Sequence, residues 1–112
     1  MKITDTVRGV VRTVRLEGRL DATTSPEAEK QLLALAEGGS TRMALDCSDL
    51  EYVSSAGLRV FLSLAKRTKA AGGKLALGAP RPQVREIFEI AGFSSVLQIL
   101  GTLDEAVAAC QA

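Results

Sequence analysis

Two glycine pairs constrain this chain more than any other feature of its sequence. Gly38-Gly39 and Gly72-Gly73 each close an amphipathic stretch, and each stands just before a short, mostly apolar run. Ahead of the first pair, Ala28, Leu32, Leu35 and Ala36 repeat at i, i+4, i+7 and i+8, one apolar stripe along a helix. Ahead of the second, Leu58, Phe61, Leu62 and Ala65 form the stripe of a helix running from about Ser55 to about Ala71. Glycine ends a helix readily, and the run after each pair reads as a buried strand: Arg42–Cys47, then Lys74–Gly78. Strands joined through a helix run parallel, so a parallel crossover occupies the middle of the chain. An all-antiparallel sheet does not fit.

The remaining segments extend this plan. Lys2–Val7 and Val10–Glu17 are β-type, the second with Val10, Val14 and Leu16 on one face at period two, and Arg8-Gly9 suits a hairpin turn between them. Gly18–Thr23 breaks the pattern. A helix starts next, either through a Thr24/Glu27 capping box or with Ser25 as cap and Pro26 at the first helical position. After Ala79–Pro82, a third helix of about Gln83–Ala91 carries Val84, Ile87, Phe88 and Ala91 on one face and stops at Gly92. Phe93–Leu100 reads as a loop or a short strand, and Thr102 with Glu105 offers a capping box to a last helix, about Leu103–Gln111. The order β-β-α-β-α-β-α-(β)-α implies an α/β fold. It is a mixed sheet of four to five strands with four helices mainly on one face, and the first three helices share that face.

Composition narrows the function classes. The 112 residues fit one domain, residues 1–112, and a chain of this size buries about 65% of its unfolded surface without disulfides or a metal. Fourteen Lys+Arg against thirteen Asp+Glu leave a net charge of +1, so the net basic field expected of a direct nucleic-acid binder is missing. Histidine is absent, which removes Ser-His-Asp and Cys-His catalysis and His-ligated metal sites. Neither a GxSxG elbow nor a phosphate-binding GxxxxGK[ST] or GxGxxG occurs. Cys47 and Cys110 are far apart, without CxxC spacing, and read as buried or incidental thiols of a reducing cytoplasm. No apolar run approaches the roughly 20 residues of a membrane span, and the first residues, with Asp5 among them, lack the apolar region of a signal peptide. The expectation is a soluble, cytoplasmic domain without a cofactor. Lys66, Arg67, Lys69 and Lys74 gather at a helix end where the dipole favours cations, either as a solvated end or as a contact for a partner or a membrane surface.

Chemistry concentrates in Asp46–Arg59, where a strand leads through a polar link, Ser48–Ser54, into a helix whose first turn holds two hydroxyls and a glycine. Backbone N–H groups at a helix N-terminus are unpaired and the dipole end is positive, so an anion such as a phosphoserine at Ser55 is stabilised there. A serine at this place can equally do no more than cap the helix. Asp46 and Asp49 flank the link and read as organisers of its backbone. Asp21, in a turn after a strand, reads as an Asx-turn residue or as a contact.

Leu50-Glu51-Tyr52-Val53-Ser54-Ser55-Ala56-Gly57-Leu58 resembles the signature of STAS domains, in particular bacterial anti-sigma factor antagonists: a hydrophobic pair, then Asp-Ser-Ser/Thr-Gly-Leu opening a helix. Gly18-Arg19-Leu20-Asp21, Gly72-Gly73-Lys74-Leu75 and Val84–Phe93 are similar to three further landmarks of that family, in the right order. The resemblance implies a STAS-type fold and a phosphorylation switch, not an enzyme. Unphosphorylated, such a protein binds an anti-sigma factor that is also a serine kinase of the histidine-kinase-like ATPase fold, which frees a sigma factor. Phosphorylation ends the contact, and a metal-dependent serine phosphatase restores it. Transcription or a related secretion or stress output is regulated in this way. Carried over without gaps, the phosphorylated residue is Ser55, with Ser54 as the alternative. The implied contact surface is the Asp21 turn, the Ser48–Ser55 link, and Ser54, Ser55, Ala56, Gly57 and Leu58 at the helix start, gathered at one end of the sheet. Ser54 stands where the family carries Asp, and Ala56 where it carries Ser or Thr. The other reading is an accessory STAS subunit of a transport complex, in which regulatory phosphorylation plays no part.

Overall fold

In the computed structural model, which describes residues 1–112, the elements are β1 (Lys2–Arg8), β2 (Val11–Leu20), α1 (Ser25–Glu37), β3 (Arg42–Val53), α2 (Ser55–Ala70), β4 (Lys74–Gly78), α3 (Pro82–Ile90), a 3₁₀ turn at Phe93–Ser95, β5 (Gln98–Leu100) and α4 (Leu103–Gln111). The five strands lie in sequence order, β1-β2-β3-β4-β5. The β1–β2 pair is antiparallel and the other three pairs are parallel. A sheet that grows steadily in one direction through crossovers of one hand must put every crossover helix on the same face. Accordingly α1, α2 and α3 cover a core of Val14, Leu16, Leu45, Leu50, Phe61 and Phe88. The α4 helix, which follows β5, closes the opposite face over Val11, Ala44 and Ala76 with its own Ala106, Val107 and Cys110. The mixed sheet and four helices agree with the expected fold.

Local details depart from the sequence reading in ways that have physical causes. The hairpin turn is Gly9-Val10 rather than Arg8-Gly9, since Arg8 already pairs with Val11; Gly9 takes the positive φ (+60°) that a two-residue hairpin asks of its first turn residue. Val10 is therefore a turn residue, 69% exposed, and it shares no face with Val14 and Leu16. The Ser48–Ser54 link is not a loop: β3 continues to Val53, paired with β2 through Leu20↔Val53, with register shifts at Arg15/Glu17 and Gly18/Arg19 that let a charged segment stay in the sheet. Neither cap expected for α1 forms. Thr24 is the N-cap residue without a side-chain cap bond, Ser25 is already helical, and Glu27 accepts a hydrogen bond from Gln31 instead. At α4 half of the expected box forms: Thr102 Oγ1 accepts from the Glu105 N–H at 3.1 Å, and the Glu105 carboxylate takes the Thr102 hydroxyl at 3.0 Å rather than its N–H.

Both cysteines are free, and they lie in the two different cores, Cys47 under α1–α3 and Cys110 under α4, with the sheet between them. No helix of the structure is long and apolar enough to cross a membrane.

Ser25 heads the buried stripe of α1, 4% exposed, and its hydroxyl has no hydrogen-bond partner. An unpaired buried hydroxyl costs about 1–3 kcal/mol. Ser25→Ala is thus expected to stabilise the protein by about 1 kcal/mol, raising the melting temperature by roughly 4 °C or more. Calorimetry checks this, and a lower melting point would mean that the hydroxyl has a partner in solution.

Candidate functional site

The helix that carries the serines begins at the carboxyl end of the central strand β3, not at a lateral edge of the sheet. Ser54 is extended (φ −86°, ψ 178°) and caps α2, its Oγ accepting from the Gly57 N–H at 3.2 Å. Its own N–H donates to the Leu20 carbonyl at 2.9 Å, which ties the start of α2 to the end of β2. Ser55 is the first helical residue; it is exposed, and its hydroxyl has no partner in the chain. The two adjacent serines thus differ in what their oxygens do. Since the Ser54 cap takes only the Gly57 N–H, the N–H groups of Ser55 and Ala56 have no helical partner and face outward at the positive end of the dipole.

Gly57 is buried where α2 passes closest to β2: a Cβ there would stand 2.6 Å from the Leu20 carbonyl oxygen and 2.9 Å from Val53 Cγ1. Only glycine permits this approach. Leu58 is half-buried against the main core and Ala56 is half-buried, so of the helix-start residues Ser55 is the one that stands clear.

Because Leu20 lies opposite Val53, Asp21 and Ser54 leave the sheet side by side at the ends of two parallel strands. Asp21 builds the turn that follows β2. One carboxylate oxygen accepts from the Thr23 N–H at 2.9 Å and from the Thr24 N–H at 3.1 Å, and its own N–H donates to Thr24 Oγ1 at 3.0 Å. The N–H of Thr24, then that of Thr23, favour the charged form and hold the Asp21 carboxyl below the usual carboxylate range. A depressed folded value means the turn's support is complete above the unfolded-state value and is lost as pH falls through the folded one. In a carboxyl-carbon NMR titration, Asp21 is expected to titrate below an ordinary aspartate. An ordinary midpoint would show that the turn is open in solution.

The far face of the sheet near this end, beyond the reach of α4, is polar. Arg15 bonds to Asp49 and also reaches Glu17 at 3.2 Å. Arg81 stands 3.8 Å from Asp49 and donates from Nε to the Ser48 carbonyl at 3.0 Å. Asp46 accepts from the N–H and the hydroxyl of Ser48. Asp46 therefore does fix local backbone, within a strand; Asp49 is held by two arginines. The Arg19 guanidinium stacks on the Tyr52 ring, 4.5 Å from its centroid. Sequence reasoning took in Tyr52 only as part of the Ser48–Ser55 link and named neither Arg15, Arg19 nor Arg81 as part of this surface. A regular register from Arg15↔Asp46 would put Arg19 opposite Leu50; the two register shifts bring it opposite Tyr52, and no pattern in the chain signals them.

A model of the STAS domain family matches residues 2–106. The chain is 39% identical over 94 residues to BtrV of Bordetella bronchiseptica, a protein assigned as an anti-sigma factor antagonist, covering 84% of this chain and 81% of that protein. It is 30% identical over 86 residues to the anti-sigma-B factor antagonist of Bacillus subtilis, covering 77% and 78% of the two chains. Its fold is similar to the crystal structure of a Thermotoga maritima protein assigned as an anti-sigma factor antagonist, with a TM-score of 0.92 at 20% identity over 98% of this chain and 95% of that one. A continuous match over nearly the whole sheet and its helices leaves one assignment: the chain belongs to the STAS domain family, among the anti-sigma factor antagonists.

Proposed function

We propose that this chain is a cytoplasmic anti-sigma factor antagonist, a binding protein rather than an enzyme, whose contact with its partner is switched by phosphorylation of Ser55. The observation that carries this reading is the unequal use of two neighbouring hydroxyls. Ser54 is committed to capping α2, whereas Ser55 is exposed and unpartnered beside two free backbone N–H groups. A kinase needs a hydroxyl it can extract from its surroundings, and Ser55 offers one without dismantling a helix end. The partner is an anti-sigma factor that doubles as a serine kinase. It binds the unphosphorylated protein across the Asp21 turn and the start of α2, with Gly57 and Leu58 setting the position of that helix from beneath.

Transfer of the γ-phosphoryl group of ATP to Ser55 Oγ releases ADP and a proton, and it leaves roughly −1.5 to −2 charge at neutral pH on the contact surface. The free N–H groups and the dipole of α2 favour that charge, so the fold is expected to change little while the surface becomes hostile to its partner. A metal-dependent serine phosphatase removes the group and resets the surface.

Incubation with the cognate kinase and ATP, followed by mass spectrometry, tests the assignment. Phosphate on Ser55, abolished by Ser55→Ala, is the expected result. Phosphate on Ser54 alone overturns the site. No incorporation at either serine overturns the switch and favours an accessory role in a transport complex.

A further inference from the structure

The lysine cluster at the other end of the molecule is not absorbed by this function. The α2 helix starts at the carboxyl end of β3 and, at 16 residues, runs about 24 Å back along the sheet, so its last turns lie at the opposite pole from Ser55. There, between α2, the start of β4 and the turn before β5, is an open groove of about 390 Å³. That is within the range of ligand-binding clefts, roughly 300–1,000 Å³. Its apolar floor includes half-buried Leu62 and Leu75, and Val96 on its wall is 57% exposed. Lys66, Lys69 and Lys74 line it, no carboxylate side chain does, and none of the three is paired with an Asp or Glu. Lys74 Nζ donates to a main-chain carboxylate oxygen of Ala112, whereas Lys66 and Lys69 have no partner in the chain. The last carbonyls of α2 give the lysines no partner either: those of Arg67, Thr68 and Lys69 already accept from the N–H groups of Ala71, Gly73 and Gly72.

We propose that this groove is a second docking site, occupied by an acidic segment of a protein partner in which an apolar side chain is flanked by carboxylates. The complementarity is twofold: an apolar anchor covers Leu62, Leu75 and Val96, and the flanking carboxylates meet the lysine ammonium groups, Lys66 and Lys69 foremost. A bare inorganic anion would use the lysines and leave the apolar floor in water. A flat lipid surface would meet the rim and miss the concave floor. The site lies a helix length from Ser55, so its occupant binds alongside the partner at the phosphorylation pole rather than in competition with it.

The test is a titration of the isotope-labelled full chain with an acetylated peptide, Glu-Asp-Leu-Phe-Asp-Glu, followed by amide NMR. Expected are salt-sensitive shifts at Leu62, Lys69, Leu75 and Val96, with affinity lowered about tenfold or more in a Lys66→Glu/Lys69→Glu variant and unchanged in Ser55→Asp. The variant's own spectrum verifies that it remains folded. Four outcomes overturn the proposal: no shifts at this pole at millimolar peptide; shifts that survive the double charge reversal; equal binding of a peptide with glycine in place of Leu-Phe; and stronger lysine-dependent binding to phosphatidylglycerol vesicles than to the peptide. The readout is peptide binding at the pole opposite Ser55, so failure here leaves the Ser55 reading intact.

Discussion

Gly57→Ala is expected to destabilise the protein by about 2 kcal/mol, although alanine is the better helix former. On an exposed helix position the exchange would favour folding by about 0.5–1 kcal/mol. Here the new methyl would lie 2.6 Å from the Leu20 carbonyl oxygen, 2.9 Å from Val53 Cγ1 and 3.0 Å from Leu20 Cγ. The nearest of these is backbone and cannot rotate away. It also accepts the Ser54 N–H bond that joins α2 to β2, so relieving the clash lengthens that bond. Overpacking costs typically 1–3 kcal/mol and a weakened part-buried hydrogen bond about another, which outweighs the propensity gain. A loss of this size is a substantial part of the roughly 5–15 kcal/mol that holds such a domain folded. Urea unfolding should show a lower midpoint with an unchanged slope. An alanine variant as stable as the parent would mean that the fold does not depend on this close approach of α2 to β2.

That dependence explains what the sequence discloses and what it hides. The glycine pairs and apolar stripes mark helices because each stripe must be buried and each helix must end, and these demands leave residue-level traces such as Leu58, Phe61 and Leu62. The extension of β3 leaves none. Ser48–Val53 carries Asp49 and Glu51, poor strand formers, and it stays in the sheet because β2 alongside it supplies backbone partners and Arg15 supplies charge. Tertiary pairing overrides local preference there. The start of α1 is hidden for a similar reason. Thr24, read as a capping-box residue, instead donates its hydroxyl to the Arg19 carbonyl, and the work of fixing the turn falls to Asp21, three residues earlier. The position of the hydroxyls at Ser54 and Ser55 could be read from the chain, but their division of labour could not. Which of two adjacent serines caps is decided by the backbone angle at which β3 ends, a property of the sheet.

Ser55→Asp is expected to weaken the proposed complex with an anti-sigma factor kinase by about 1–3 kcal/mol, roughly 5- to 150-fold in affinity, while leaving the free protein as stable as before or slightly more so. In the free protein the added carboxylate sits at the first position of α2, exposed, beside the unpaired N–H groups of Ser55 and Ala56. A negative charge at a helix start is worth about 0.3–1 kcal/mol in favour of folding. In the proposed complex the same position would be covered, and a carboxylate that loses water without gaining a cation leaves an uncompensated charge. The two effects have opposite signs, which separates a damaged interface from a damaged fold. Phosphate carries more charge than aspartate, so the substitution marks the lower end of the proposed switch. Ser54→Asp is the control: aspartate caps as well as serine, so α2 should keep its start and stability should hold. Titration calorimetry of the three proteins against the partner decides the matter. Equal affinities for the parent and Ser55→Asp would place the interface elsewhere on the molecule. An equal loss in both variants would show that the partner reads the charge of the whole helix end rather than the Ser55 hydroxyl.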